Sequence, residues 1–136
     1  MEQFEIKKEV RLICQQAESF PDGIMDAFSK LQASLPNCAD RTWYGLSKPD
    51  HGDIIYKAAV TELSDTEAEV NGFESFIVTS GTYLTKIVTD WRQDTEVIGT
   101  AFNELLKDPQ LDPSSYCVEW YLPDDKLMCM VKLKTE

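Results

Sequence analysis

Two stretches of this chain carry the same apolar pattern, I-x-x-A-F-x-x-L. Ile24, Ala27, Phe28 and Leu31 are repeated 74 positions later as Ile98, Ala101, Phe102 and Leu105. That spacing places all four side chains on one side of a helix, and Leu35 extends the first stripe by another turn. A strand-like run precedes each helix. An aromatic pair follows each, Trp43-Tyr44 and Trp120-Tyr121, 77 positions apart. Each pair leads to a turn containing Pro-Asp, Pro49-Asp50 or Pro123-Asp124, and then to another apolar run. The order strand, helix, hairpin thus occurs twice. A helix with a single apolar stripe must bury it against another element. The expected class is α+β: duplicated β-α-β-β units forming an antiparallel sheet, two helices on one face, and a cleft between the halves, a favourable place for a ligand.

With 136 residues, the chain reads as one domain, 1–136, with repeats at about 1–63 and about 73–136. Val10 to Cys14 reads as a strand. Pro21-Asp22 opens the first helix, with Ser19 or Phe20 near its cap, and Pro36-Asn37 stops it. Strands are expected over 42–47 and 54–63, then an acidic loop or linker over 64–72. Residues 73–88 read as one long or bent strand interrupted at Ser80-Gly81. Asp94-Thr95 caps the second helix, which ends at Lys107-Asp108-Pro109. Strands over 115–122 and 126–133 flank the turn Pro123-Asp124-Asp125.

The formal net charge is −11. Such a field repels phosphate, so no direct nucleic-acid binding and no anionic membrane surface is expected, whereas cationic ligands are concentrated. Cys14, Cys38, Cys117 and Cys129 form no C-x-x-C and no zinc-like pair. The start of the chain lacks a signal-peptide pattern, no apolar run reaches membrane-span length, and a reducing cytoplasm is the expected location. The only histidine, His51, lies in a Pro/Asp/Gly turn and reads as solvated. There is no nucleotide-binding glycine motif, so no cofactor is expected. The acidic run Glu62, Asp65, Glu67, Glu69 lacks the calcium-loop pattern and reads as a solvated loop; no metal is expected.

Chemistry can reside in three places. Tyr116 to Pro123 is a strand with one carboxylate among apolar and aromatic residues. Alternation puts Cys117, Glu119 and Tyr121 on one face and Tyr116, Val118 and Trp120 on the other. Glu119 either faces solvent or faces inward, where an unpartnered carboxylate is costly and a cation with neighbouring rings would stabilise it. Around Ser80-Gly81, a bend can aim Tyr83 into a pocket; alternatively Tyr83 is a core residue. Trp43 and Tyr44, with Trp91 before the second helix, either line a cavity for flat apolar molecules or pack the core.

Trp43-Tyr44-Gly45-Leu46 with the Pro49-Asp50 turn, Ser80-Gly81-Thr82-Tyr83, and Cys117-Val118-Glu119-Trp120-Tyr121-Leu122-Pro123 together resemble the GyrI-like small-molecule-binding domains. That family includes gyrase-inhibitory proteins and the effector-binding domains of multidrug-responsive transcription activators. The resemblance is to the stand-alone form, since no helix-turn-helix segment precedes the first expected strand. It implies a duplicated β-α-β-β fold with a ligand cleft, and a glutamate on the penultimate strand that meets lipophilic cations. Here that residue is Glu119, with Tyr83, Tyr44 and Tyr121 as cleft aromatics; Trp43, Trp91 and Trp120 are added from composition and position.

Two functions use these residues. One is a binding module that sequesters or senses a drug or toxin. The other is a hydrolase of strained, electrophilic cyclopropanoid-like compounds, with Glu119 as general base and Tyr83 or Tyr121 donating to the developing oxyanion. A third, suggested by the resemblance and the charge, is a protein partner such as DNA gyrase.

Overall fold

A computed structural model describes residues 1–134. The elements in chain order are β1 (Glu2–Ile6), β2 (Val10–Gln16), α1 (Ile24–Ser34), β3 (Trp43–Asp50), β4 (Asp53–Thr61), α2 (Glu67–Val70), β5 (Glu74–Val78), β6 (Gly81–Val88), α3 (Glu96–Leu105), β7 (Cys117–Leu122) and β8 (Lys126–Lys132). A single 3-10 turn, Cys38–Asp40, lies between α1 and β3. The class is α+β and all pairings within the sheets described below are antiparallel.

The chain forms two compact units, Glu9–Thr79 and Met1–Lys8 with the chain from Ser80 onward. They are called here the Trp43 unit and the Glu119 unit. In the Trp43 unit the strand order is β3-β4-β2-β5, and α1 covers one face. In the Glu119 unit the order is β1-β6-β8-β7, and α3 covers one face. Each unit contains the strand, helix, hairpin order seen in the sequence. Each also takes its outermost strand from outside that continuous stretch. β1 lies along β6 with Phe4 opposite Tyr83, and β5 lies along β2 with Phe76 opposite Leu12.

The expected stripes are the buried ones. Ala27, Leu31 and Leu35 are buried under α1, with Ile24 and Phe28 packed at the margin. Ala101, Phe102 and Leu105 are buried under α3, with Ile98 at the margin. Their sheet partners are the alternate residues Ile13, Tyr56, Ala58 and Val60 in one unit and Leu84, Leu127, Cys129 and Val131 in the other. Full burial of a leucine such as Leu31 or Leu105 contributes about 2 kcal/mol.

Several sequence expectations change. The 73–88 segment is two strands, because its halves pair with β2 and with β6's own neighbours, and Gly81 takes a φ of +141 where they separate. Residues 2–6 form a strand that alternation alone did not single out. α1 begins at Ile24 with Gly23 as its cap, after a cis Phe20-Pro21 bond. Thr95 caps α3 without a side-chain bond; Asp94 Oδ1 instead accepts from the Glu96 N–H at 3.1 Å. The Trp43-Tyr44 and Trp120-Tyr121 pairs do not hold matching places. Trp43 lies opposite Val60 on the face under α1, whereas Trp120 lies opposite Met128 on the face away from α3.

The acidic run is solvated only in part: Asp65 and Glu69 are exposed, whereas Glu62 and Glu67 are paired. Glu62 accepts from Arg11 Nε at 3.1 Å and from the Ala68 N–H at 3.0 Å. Glu67, on α2, accepts from both terminal nitrogens of Arg41, at 2.8 and 2.5 Å, and from the Leu63 N–H at 2.9 Å. The Arg41 side chain is fully buried and also donates to the Pro36 and Thr61 carbonyls. One guanidinium thereby ties the end of α1, the end of β4 and α2 together. It holds the Glu67 carboxyl below its usual value of 4.5, since the bidentate pair favours the ionised form.

Breaking a buried pair leaves one charge uncompensated, so Arg41→Ala should lower unfolding free energy by about 3–5 kcal/mol in urea denaturation. Because the Glu67 pKa is depressed on folding, its contribution is present above the unfolded value and lost as pH falls through the folded one. The stability gap between wild type and Glu67→Gln should therefore be wide at pH 7 and close as pH drops below 4.5; a gap constant with pH contradicts this assignment.

Candidate functional site

The face of the Glu119 unit under α3 carries an unusual row. Lys86 on β6 lies opposite Cys129 on β8, which lies opposite Glu119 on β7. The equivalent row of the Trp43 unit, two residues along from the Ile13–Val60 pair, is Gln15, Ala58 and Gly45. Glycine thus stands where the other unit has its carboxylate. One row further, Ser47 opposite Tyr56 corresponds to Tyr121 opposite Leu127. The charge and its aromatic neighbour are confined to one unit.

Glu119 is 9% exposed, and a carboxylate so placed requires hydrogen bonds. The Tyr121 hydroxyl donates to Glu119 Oε1 at 2.8 Å. This contact follows from β geometry: residues i and i+2 share a face, and the longer tyrosine reaches back over one strand repeat. The ring of Tyr121 meets Trp91 edge to face, with centroids 5.3 Å apart. That arrangement sets the positive ring edge against a negative face. Trp91 reaches this position from the segment between β6 and α3, its backbone N–H donating to the Asp125 carbonyl at 3.4 Å.

The surroundings are electrostatically graded. Cys129 is fully buried, and its thiol is pushed up to about 12, first by burial and then by the negative charge of Glu119. Lys86 opposes that effect and is itself paired with Glu104 of α3 at 2.7 Å. That pair holds the Glu104 carboxyl below its usual value.

Of the residues selected from sequence, the structure brings Glu119, Tyr121 and Trp91 together on the face under α3. Tyr83 lies in the same unit, opposite Phe4 and Lys132, but its neighbour Leu84 belongs to the α3 core, so Tyr83 is on the other face of its sheet. Trp43 and Tyr44 belong to the Trp43 unit. Trp43 packs on Phe28 with centroids 5.9 Å apart, and Tyr44 is buried on the opposite face, its hydroxyl pushed up to about 12 by burial. Sequence reading missed Cys129, Lys86 and Arg92 as neighbours of the site. Only the strand registers bring Cys129 beside Glu119 and Lys86 beside Cys129, and no periodic signal marks Arg92. His51, at a hairpin tip, has a side chain 96% exposed. A depression of about 650 Å³ beside the start of α1 contains none of the selected residues. Among the described residues, no three His, Cys, Asp or Glu side chains are grouped to hold a metal, and no helix is long and apolar enough to cross a membrane.

No protein-family model matches the chain. No curated protein matches it either. Its likeness is to solved structures. An integron cassette protein from the mobile metagenome of Vibrio cholerae aligns with a TM-score of 0.67 and 16% identity, over 98% of this chain and 95% of that one. The protein SAV2435 bound to tetraphenylphosphonium aligns with a TM-score of 0.60 and 13% identity, over 98% and 93%. The C-terminal domain of EcmrR aligns with a TM-score of 0.58 and 11% identity, over 99% and 96%. At these identities the shared property is the fold.

The Tyr121–Glu119 bond should be measurable as a coupling. Tyr121→Phe and Glu119→Gln, alone and combined, should give a double-mutant coupling energy of about 1.5 kcal/mol or more by urea denaturation; additive effects mean the bond contributes nothing. Cys14, like Cys129, is buried, and its thiol is also pushed up to about 12. At pH 8 a maleimide should therefore label Cys14 and Cys129 only after unfolding, as peptide mass mapping will report.

Proposed function

We propose that this chain is a GyrI-like small-molecule-binding domain and that Glu119 is the counter-ion for a lipophilic, aromatic, cationic ligand, which the protein sequesters or senses. The observation that carries the reading is the Tyr121-bound carboxylate of Glu119, 9% exposed, with the Trp91 ring packed edge to face on that of Tyr121. A buried carboxylate attracts a cation strongly because little water screens it. Aromatic rings add cation–π attraction of roughly 0.5–2 kcal/mol each. The net charge of −11 raises the local concentration of cations around the molecule. Further support comes from the fold shared with SAV2435, which is bound to the lipophilic cation tetraphenylphosphonium.

The Tyr121 proton is committed to Glu119, so the pair serves to fix a carboxylate rather than to leave a free donor for an oxyanion. That geometry favours binding over the hydrolytic use of the same residues.

The test is calorimetric titration of wild type and Glu119→Gln with tetraphenylphosphonium and with neutral triphenylphosphine oxide. Wild type should bind the cation, and Glu119→Gln should lose about ten-fold or more of that affinity, with binding of the neutral compound unchanged. Equal affinity of both proteins for the cation would overturn the assignment of Glu119. Appearance of a product on incubation with a strained electrophile would move the reading to a hydrolase.

A further inference from the structure

The turn between β7 and β8 and the segment between β6 and α3 meet at Asp125, Arg92 and Trp91, of which the proposed binding role uses only Trp91 directly. Arg92 Nε donates to Asp125 Oδ1 at 2.9 Å. The same guanidinium lies 4.4 Å from the centroid of the Trp91 ring. Trp91 in turn meets Tyr121, and Tyr121 donates to Glu119. A continuous sequence of contacts therefore runs from a surface carboxylate to the buried one. Asp125 is presented by a tight turn in which both Asp124 and Asp125 adopt positive φ, 63° and 54°. Asp90, next to Trp91, does the same at 51°. Positive φ at aspartate is tolerated but uncommon, so both backbones are bent sharply at the points that bring the two side chains together.

The Arg92 and Asp125 side chains are 66% and 49% exposed. At such exposure an ion pair contributes little to global stability. A guanidinium can nonetheless do two things at once that an ammonium cannot: stack flat on an indole and donate in its own plane to a carboxylate. Arg92 does both. Trp91 is thus held between the guanidinium and the edge-on contact with Tyr121.

We propose that Arg92 is a positioning residue of the Glu119 site: anchored by Asp125, it fixes the Trp91 ring against Tyr121, so that the ring is preorganised for an aromatic ligand. The ligand part rests on the binding role proposed above. The ring-fixing part stands on the contacts alone. Since the held element is an aromatic surface and not a charge, loosening it reduces stacking for cationic and neutral aromatics alike. Loss of the Glu119 charge, by contrast, discriminates between them.

The test reads the ring directly. The Trp91 indole N–H resonance, assigned with Trp91→Phe, is followed by NMR relaxation in wild type, Arg92→Ala, Asp125→Ala and the double variant. The indole should be ordered in wild type and mobile in each variant, with the double variant no more mobile than either single one. Urea midpoints should stay together, because the pair is at the surface. An indole equally ordered in Arg92→Ala, or mobility that follows a fall in the urea midpoint, overturns the proposal. Titration with tetraphenylphosphonium and triphenylphosphine oxide then reads the consequence. Arg92→Ala should weaken both about three-fold; unchanged affinity for a ligand that wild type binds overturns the ligand part. If no probe binds wild type, the binding role fails while the indole signal still decides what Arg92 does.

Discussion

The helices α1 and α3 can each cover their sheet in one way only, because the apolar stripe must meet the alternate side chains of the antiparallel strands beneath it. That constraint sets everything else. Strand side chains have a period of two, so once Leu31 or Leu105 is seated, the residues facing each helix are fixed all the way across the sheet. Ile13, Ala58 and Val60 are drawn under α1, and Leu84, Cys129 and Val131 under α3. Glu119 is carried to the α3 side by this register and not by any preference of its own, since a carboxylate gains nothing from an apolar face. There it accepts a hydrogen bond from Tyr121, two residues along the same strand.

The two units solve the same packing problem with different residues. Where the Trp43 unit has Gly45 and Ser47, the Glu119 unit has Glu119 and Tyr121. Where one row reads Gln15, Ala58, Gly45, the other reads Lys86, Cys129, Glu119. The first set is small or neutral and leaves the scaffold chemically quiet. The second concentrates charge and polarisable side chains on one face. Arg41 makes the complementary point in the Trp43 unit: there the buried charge is fully paired with Glu67 and backbone carbonyls, and it serves to tie elements together.

Much of this was legible from residue types and spacing. The two stripes, the helices and hairpins that follow them, the α+β class, and the shared face of Cys117, Glu119 and Tyr121 all depend on local periodicity, which a sequence displays. The errors have one physical origin. Residues 73–88 look like one strand because β5 and β6 are both apolar, and only their separate partners divide them. Glu62 and Glu67 look solvated because their partners, Arg11 and Arg41, lie far away along the chain. The matching of Trp43 with Trp120 follows residue identity, whereas the ladder places them on opposite faces relative to the covering helix.

The sequence by itself determined α1 and α3 with their buried stripes, the hairpin that follows each, and the alternation that groups Glu119 with Tyr121, because these arise from contacts among near neighbours with fixed repeat lengths. The tertiary structure alone decided three things. It set which strands lie side by side and therefore that Cys129 lies beside Glu119, with Lys86 one strand further across. It put Tyr83 on the far face of its sheet. It brought Arg92 and Asp125 together to hold Trp91. Those relations depend on pairing between segments distant in the chain, and no local period records which distant segment a strand will choose.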